Sequence, residues 1–219
     1  MTDRLHQYQG EAIIVTWSKA RCIHVAECLR RLSVVFDTGR APWVLPDAAT
    51  ADEIAATIGH CPSGALHFQR LDGGAPETPD AVNAITPRAS GPLYVRGDIV
   101  VQTDDGEEIV RDTRLTLCRC GASKNKPFCD NSHVTIEFRP GATPGENRLT
   151  IDPAQAPTHH LTITAVTDGP LQLRGPVEIR SKDGQTVYRG NRAKLCRCGQ
   201  SGNKPFCDGT HTTIGFRPD

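Results

Sequence analysis

The sequence predicts an α+β chain: a mixed α/β N-terminal domain, then two small β-rich units paired about a pseudo-twofold axis. Three observations predict it. Residues 91–140 align with residues 169–218 at a constant offset of 78 and without a gap, and 27 of those 50 positions are identical. Similarity of that length marks a duplication. Each copy opens with short alternating apolar runs broken by Gly97, Asp105-Gly106 and Asp183-Gly184, the chemistry of β-hairpins. Finally, apolar residues make up only 37% of the chain and 11 residues are aromatic, which argues for several small cores over one large one. Small domains short of core are held by disulfides or bound metal, and nine cysteines with eight histidines favour metal.

The elements follow in order. A strand is expected at 12–17, then a cysteine-bearing turn into a helix that runs through Arg31. A second helix at 51–59 starts at Thr50 or Ala51-Asp52 and stops at Gly59, and a strand at 65–69 closes the domain. The Gly- and Pro-rich stretch 72–80 reads as a linker. Strands are expected at 93–95, 99–101 and 109–110, with counterparts at 171–173, 177–179 and 187–188. A cysteine segment follows in each copy, and a strand-like Ile-x-Phe at 136–138 and 214–216 ends it. Weaker matches at Ile85-Thr86 and Ile163-Thr164 put the starts near 84 and 162. The domains are therefore 1–75, 84–140 and 162–219. Between the copies, 141–157 carries Pro144, Gly145, Pro153 and Pro157 and reads as a connector with one short strand at 148–151. His159-His160 belongs to that connector as exposed spacer. Two units in one chain suggest a monomer containing an internal pseudo-dimer.

Net charge is zero, which gives no case for nucleic acid or a membrane surface as partner. Residues 1–80 carry a net −3 and residues 81–219 a net +3. No apolar signal core follows Met1, and no window approaches a membrane span. The expected location is cytoplasmic, a reducing compartment where cysteines bind metal more often than they pair. An odd number of cysteines also argues against complete disulfide pairing.

The chemistry sits in two segments of spacing C-x-C-x8-C-x3-H. The first holds Cys118, Cys120, Cys129 and His133; the second holds Cys196, Cys198, Cys207 and His211. Two thiolates one residue apart reach one iron, and a Cys and His four apart on a short turn reach a second. Thiolates are soft donors suited to iron–sulfur clusters. A Cys3His zinc site uses the same ligand set, so spacing alone leaves zinc open. Asp130 and Asp208 are placed to accept backbone N–H groups as N-caps. Lys126 and Lys204 suit charge neutralisation or plain solvation, Ser123 and Ser201 suit bonds to sulfur or to the loop, and Phe128 and Phe206 suit shielding from water.

The pattern C-x-C-x2-S-x3-P-x-C-D-x-[ST]-H resembles the CDGSH iron–sulfur domain of mitoNEET-type proteins over roughly 84–140 and 162–218. The resemblance implies one [2Fe–2S] cluster per unit on three Cys and one His, with the eight residues above as ligands, and it is similar to the tandem, monomeric branch. Asn131 departs from the motif glycine that Gly209 keeps; Asn tolerates left-handed backbone geometry better than most residues. A neutral imidazole in place of a thiolate raises the reduction potential, as in Rieske centres, and is open to protonation near neutral pH.

Three cysteines remain in the N-terminal domain, Cys22, Cys28 and Cys61, the last followed by Pro62. Cys-x5-Cys with a distant Cys-Pro resembles a divergent mono-cluster, ferredoxin-like domain over about 10–70. Val25 stands where the usual run has its middle cysteine. Three thiolates suit a [3Fe–4S] cluster; a [4Fe–4S] cluster needs a further ligand such as water, a small molecule or His24. Empty, reduced thiols are the remaining alternative.

The function expected is electron transfer by a multi-cluster redox protein with a redox partner protein, and not an enzyme: no nucleotide fingerprint, P-loop or nucleophile–base pair is legible. Cluster storage and transfer to an apo-acceptor protein, or redox and pH sensing, is the alternative. A structural zinc module is the alternative of another class.

Overall fold

A computed structural model describes residues 5–140, 145–149, 159–181 and 183–218. The chain divides into two compact units, Met1–Thr78 and Pro79–Asp219.

In the first unit β1 (Leu5–Gln9), β2 (Ile13–Ser18) and β3 (Leu66–Arg70) form an antiparallel sheet in that order. Helix α1 (Glu27–Arg31) is one short turn, and its Glu27 pairs with Arg30 and Arg31. Helix α2 (Ala51–Ile58) buries Ala51, Ile54 and Ile58, the spacing of a single helical face. Thr50 opens it with a capping box: its hydroxyl accepts from Glu53 N, and the Glu53 carboxylate accepts from Thr50 N at 3.0 Å. The core beneath it gathers Ile13, Val15, Phe36, Val44, Ile54, Ile58 and Leu66. Strand β1 has no counterpart among the elements read from sequence, because its alternation of Leu, His, Gln and Tyr is weakly apolar. The stretch 74–80 has neither helix nor strand.

The second unit interleaves the two copies. The first contributes β4 (Ala84–Pro87), β5 (Leu93–Thr103) and β6 (Glu108–Leu117). The second contributes β7 (Leu161–Ala165), β8 (Leu171–Arg180) and β9 (Thr186–Leu195). Within each copy the long central strand pairs antiparallel with its neighbours. Each short first strand also bridges to the long strand of the other copy. Strand β4 runs parallel to β8 through Ala84↔Glu178 and Ile85↔Ile179. Strand β7 runs parallel to β5, with Thr162↔Val100 and Ile163↔Val101 among its pairs. Shifting each partner of one pair by the repeat offset gives the other pair. A single core follows, in which Ile85, Leu93, Val95, Leu117, Ile163, Leu171, Ile179 and Leu195 from both copies are sealed from solvent. Buried Asn83 clips the copies together by donating to the carbonyls of His159 and Pro176, each at 3.0 Å.

Three details differ from expectation. The runs at 93–95 and 99–101 are one strand, bent by a register shift between Arg96 and Ile99. The Ile-x-Phe segments are not strands: each leaves a four-residue helix, α3 (Ser132–Thr135) or α4 (Thr210–Thr213), through a turn with positive φ at Glu137 or Gly215. The strand expected at 148–151 lies partly outside the described residues, and Arg148 and Leu149 are not strand.

Replacing the α2 cap isolates one contribution. Thr50→Ala is expected to lower the stability of the N-terminal unit by about 1 kcal/mol, measured by urea unfolding followed through tryptophan fluorescence, since Trp17 and Trp43 lie in this unit.

Candidate metal centres

Each CDGSH-type segment begins where a long strand ends. Cys118 follows β6 and Cys196 follows β9. The segment folds back on the strand: Cys118 N donates to Pro127 O at 2.8 Å, and Cys129 N to Thr116 O at 2.9 Å. In the second copy Cys196 N donates to Pro205 O and Cys207 N to Lys194 O, both at 2.8 Å. The loop between is held by serine. Ser123 Oγ donates to Phe128 O and Ser201 Oγ to Phe206 O, each at 2.7 Å. Lys126 and Lys204 give their ammonium groups to the carbonyls of Ser123 and Ser201. These four residues thus organise the loop itself. Phe206 is buried in the core, whereas Phe128 packs against it only partly buried.

The aspartates organise the last part. Asp130 accepts from Lys124 N at 2.8 Å, Ser132 N at 3.0 Å and the Ser132 hydroxyl at 2.7 Å. Asp208 accepts likewise from Gly202 N, Thr210 N and the Thr210 hydroxyl. Burial opposes the Asp208 charge, but these donors outweigh it and hold the carboxyl down to about 2. The helix cap position itself belongs to the next residue, Asn131 or Gly209. Both take a left-handed backbone and make no side-chain cap bond, so Asn131 adopts the geometry of the glycine it replaces.

This scaffold brings the sequence-predicted residues together in pairs. Cys118 Sγ and Cys120 Sγ lie 3.8 Å apart, and Cys129 Sγ lies 3.5 Å from His133 Nδ1. The second copy repeats this at 3.9 Å for Cys196 and Cys198, and 3.4 Å for Cys207 and His211 Nδ1. Donor atoms about 2.3 Å from one tetrahedral metal lie roughly 3.7 Å apart, so each pair matches one metal atom. Among the described residues no three Cys, His, Asp or Glu side chains gather closely enough to hold a single ion. Each copy thus presents two donor pairs, one of two thiols and one of a thiol and an imidazole.

The thiols are electrostatically prepared. Within each C-x-C pair the two thiols are hydrogen-bonded and titrate as a unit. Cys118 and Cys198 are drawn down to about 6 by their partner thiols, helped against burial by backbone N–H groups. Cys120 and Cys196 are pushed up correspondingly. Because the low member is the first cysteine in one copy and the second in the other, the property belongs to the pair. Burial pushes Cys129 up to about 11. Burial also lowers His133, reinforced by the Arg119 charge and opposed by Asp130. The copies differ in access: Cys129 is buried, while Cys207 is half-buried. A cavity of about 650 Å³ opens beside Cys207 and His211, with Lys194 and Arg217 on its wall.

In the first unit Cys22, Cys28 and Cys61 line one small cleft with His24, Trp17 and Trp43. Arg21 joins the Cys22 turn to the Cys61 turn through a 2.7 Å bond to Ser63 O. Cys28 is raised to about 11, by burial first and then by the charges of Cys61 and Cys22. His24 Nδ1 lies 3.8 Å from Cys22 Sγ, beside that sulfur and exposed.

Comparison with known proteins decides the family. A model described as "Iron-binding zinc finger CDGSH type" matches residues 90–134 and again 168–212. The chain belongs to the tandem CDGSH iron–sulfur proteins. A second model, described as "Divergent 4Fe-4S mono-cluster", matches residues 8–71 ahead of the CDGSH pair. The curated relatives "Uncharacterized protein YjdI" of Escherichia coli strains K12 and O157:H7 are each 37% identical over 62 residues, 28% of this chain and 82% of theirs. They match its N-terminal part. No solved structure matches the chain. No helix among the described residues is long and apolar enough to cross a membrane. All three domains of this CDGSH protein are thus of iron–sulfur-binding kinds.

Sequence reasoning passed over Arg119 and Arg197, the middle residues of the two C-R-C runs, though their identity in both copies was the available signal. Both are buried.

The lowered His133 has a pH consequence. The folded site keeps a neutral imidazole, so a proton is bound more readily once the site opens. Stability is full above the ordinary value of about 6.5 and is lost as pH falls below it. Visible absorbance of the loaded protein is expected to hold above pH 7 and to decay below about 6.5. His133→Cys should remove that decay for one of the two CDGSH sites.

Proposed function

We propose that this CDGSH protein is an electron carrier with two [2Fe–2S] clusters, one on Cys118, Cys120, Cys129 and His133 and one on Cys196, Cys198, Cys207 and His211. The observation that carries the proposal is the paired arrangement: two donor atoms 3.8 or 3.9 Å apart, two more 3.5 or 3.4 Å apart, twice over. When bound, such a cluster supplies one-electron chemistry. The imidazole ligand moves its potential upward relative to four thiolates, and the chain's own residues hold the thiolates, shield them and fix the loops.

Cys22, Cys28 and Cys61 hold a third cluster in this reading, of the [4Fe–4S] kind that the matching family model is named for, or [3Fe–4S]. The three thiols of one cleft support it, and ferredoxin-like character is proposed for this domain. The domains of the reading are 1–75, 84–140 and 162–219, the last two paired about a pseudo-twofold axis. The reciprocal strand registers support that symmetry. The protein works as a cytoplasmic monomer, has no substrate chemistry of its own, and serves a redox partner protein. One observation favours a second reading, delivery of a cluster to an apo-acceptor: the cavity beside the half-buried Cys207 gives an incoming thiolate a way in.

Anaerobically purified protein is expected to contain acid-labile sulfide, about four irons from the CDGSH pair and about three or four more from the N-terminal domain. A colourless, zinc-containing, sulfide-free protein would overturn the proposal. Mixing with apo-ferredoxin separates the two readings: rapid reversible reduction without cluster loss supports the carrier, and stoichiometric transfer supports delivery.

A further inference from the structure

The duplication supplies its own control: a difference between the copies at equivalent positions is not demanded by the frame they share. One such difference lies beside the second imidazole. The cavity of about 650 Å³ there is walled by Val166, Gln172 and Lys194, next to Cys207 and His211. The repeat offset sets these three wall residues against Arg88, Tyr94 and Thr116. In both copies the last two are cross-strand neighbours, Gln172 beside Lys194 and Tyr94 beside Thr116.

The first copy puts a stacked pair of large side chains at these positions. The Arg88 guanidinium lies 5.2 Å from the centre of the Tyr94 ring, and Thr116 is buried. The turn that starts at Arg88 is held close to the imidazole. Arg119 donates to Arg88 O at 2.6 Å and to Gly91 O at 2.8 Å, and a Cβ on Gly91 would lie 3.7 Å from His133 Nε2. In the second copy Arg197 reaches only Val166 O, at 2.9 Å, and its Nε has no partner among the described residues. The second turn is held instead through Thr167 N, which donates to Asp104 at 2.9 Å. Cys129 is buried and Cys207 half-buried.

The cavity also carries a charge of its own. Asp168 and Arg217 on its wall pair with each other at 2.9 Å. That leaves Lys194, which is exposed and whose ammonium group has no hydrogen bond or ion pair among the described residues. An ammonium is a compact point charge on a flexible stem, and a recess with one sign of charge on its wall concentrates ions of the other sign. Thr116 gives the first copy no such charge.

We propose that the second repeat is the exchange port of this protein: its cavity admits a carboxylate-bearing partner group, held by Lys194 beside Cys207 and His211, while the Arg88–Tyr94 pair closes the first repeat. The inference rests on the [2Fe–2S] reading above and deepens it by dividing the two sites between exchange and retention.

The test challenges the cluster-loaded protein, without oxygen, with mercaptoacetate or with neutral 2-mercaptoethanol. Freed cysteines are trapped with iodoacetamide, and mass spectrometry of the peptides reports which repeat has opened. In the wild type, label is expected on Cys196, Cys198 and Cys207 before Cys118, Cys120 and Cys129. The second repeat's preference for mercaptoacetate over mercaptoethanol is expected to fall about threefold in Lys194→Gln, and in the wild type at high salt, and to survive in Lys194→Arg. Val166→Arg with Gln172→Tyr should slow release from the second repeat, and Arg88→Val with Tyr94→Gln should speed release from the first. The Lys194 variants change only an exposed side chain, so they test the proposal even where a double variant fails to load. Transfer to apo-ferredoxin from the same variants separates the sources: dependence on Lys194 in that assay alone assigns the carboxylate to an acidic protein surface.

Equal labelling of the two repeats, or earlier labelling of the first, would overturn the inference. So would Lys194→Gln behaving as the wild type with both mercaptoacetate and apo-ferredoxin. A sulfide-free wild type would instead sink the cluster reading itself. A sulfide-containing wild type that opens both repeats alike would sink the division of the sites alone.

Discussion

Two turns pressed back to back hold the CDGSH unit in register. Gly121 meets the carbonyl of Cys198, and Gly199 meets the carbonyl of Cys120. Neither position has room for a side-chain carbon, and both sit at φ near +80°, a region glycine enters without strain. Each ligand loop is therefore the wall against which the other is cast. The bridging strands β4 and β7 bring those walls together, and the shared core beneath them fixes the distance. Loss of this contact would displace ligands in both copies at once.

On that frame the chain spends few residues on chemistry. Serine, lysine and aspartate in each loop satisfy backbone groups, and backbone N–H groups of Asn131 and Gly209 reach the third cysteine sulfur of each copy. Within each C-x-C pair one thiol is drawn down by its neighbour, which favours the thiolate that ligation needs. The histidines sit on single helical turns whose first residue is left-handed, so the imidazole is aimed by backbone geometry and needs no side-chain partner of its own. The second copy is the more accessible of the two, through its half-buried Cys207 and the glycine at position 209.

Much of the site was legible because its grammar is local. Cysteine spacing, the Asp after the third cysteine and the Thr50–Glu53 cap each act over a few residues, and a duplicated motif repeats its own message. The bridging of β4 and β7 between the copies was not legible. Residues 84–85 and 162–163 look like ordinary short apolar runs, and nothing in them names a strand in the other copy as partner. The Ile-x-Phe segments mislead for a related reason: Phe138 and Phe216 are buried by the turn that precedes them, so alternation there does not signal a strand. Arg119 and Arg197 drew no reading from sequence, because their burial follows from tertiary contacts that spacing does not reveal. The grouping of Cys22, Cys28 and Cys61 needed only their spacing and the Cys-Pro pair, although the position of His24 beside Cys22 needed coordinates.

The interleaving of β4 and β7 also orders events during synthesis. As the polypeptide leaves the ribosome, Cys118, Cys120, Cys129 and His133 emerge while β8 and Gly199 are still unmade. Ala84 and Ile85 then pair only with β5 of their own copy and lack β8, and Cys120 has no opposing turn. The first quartet therefore waits for the second before it acquires its final shape. A chain cut short after the first motif thus leaves that quartet without the turn it is packed against.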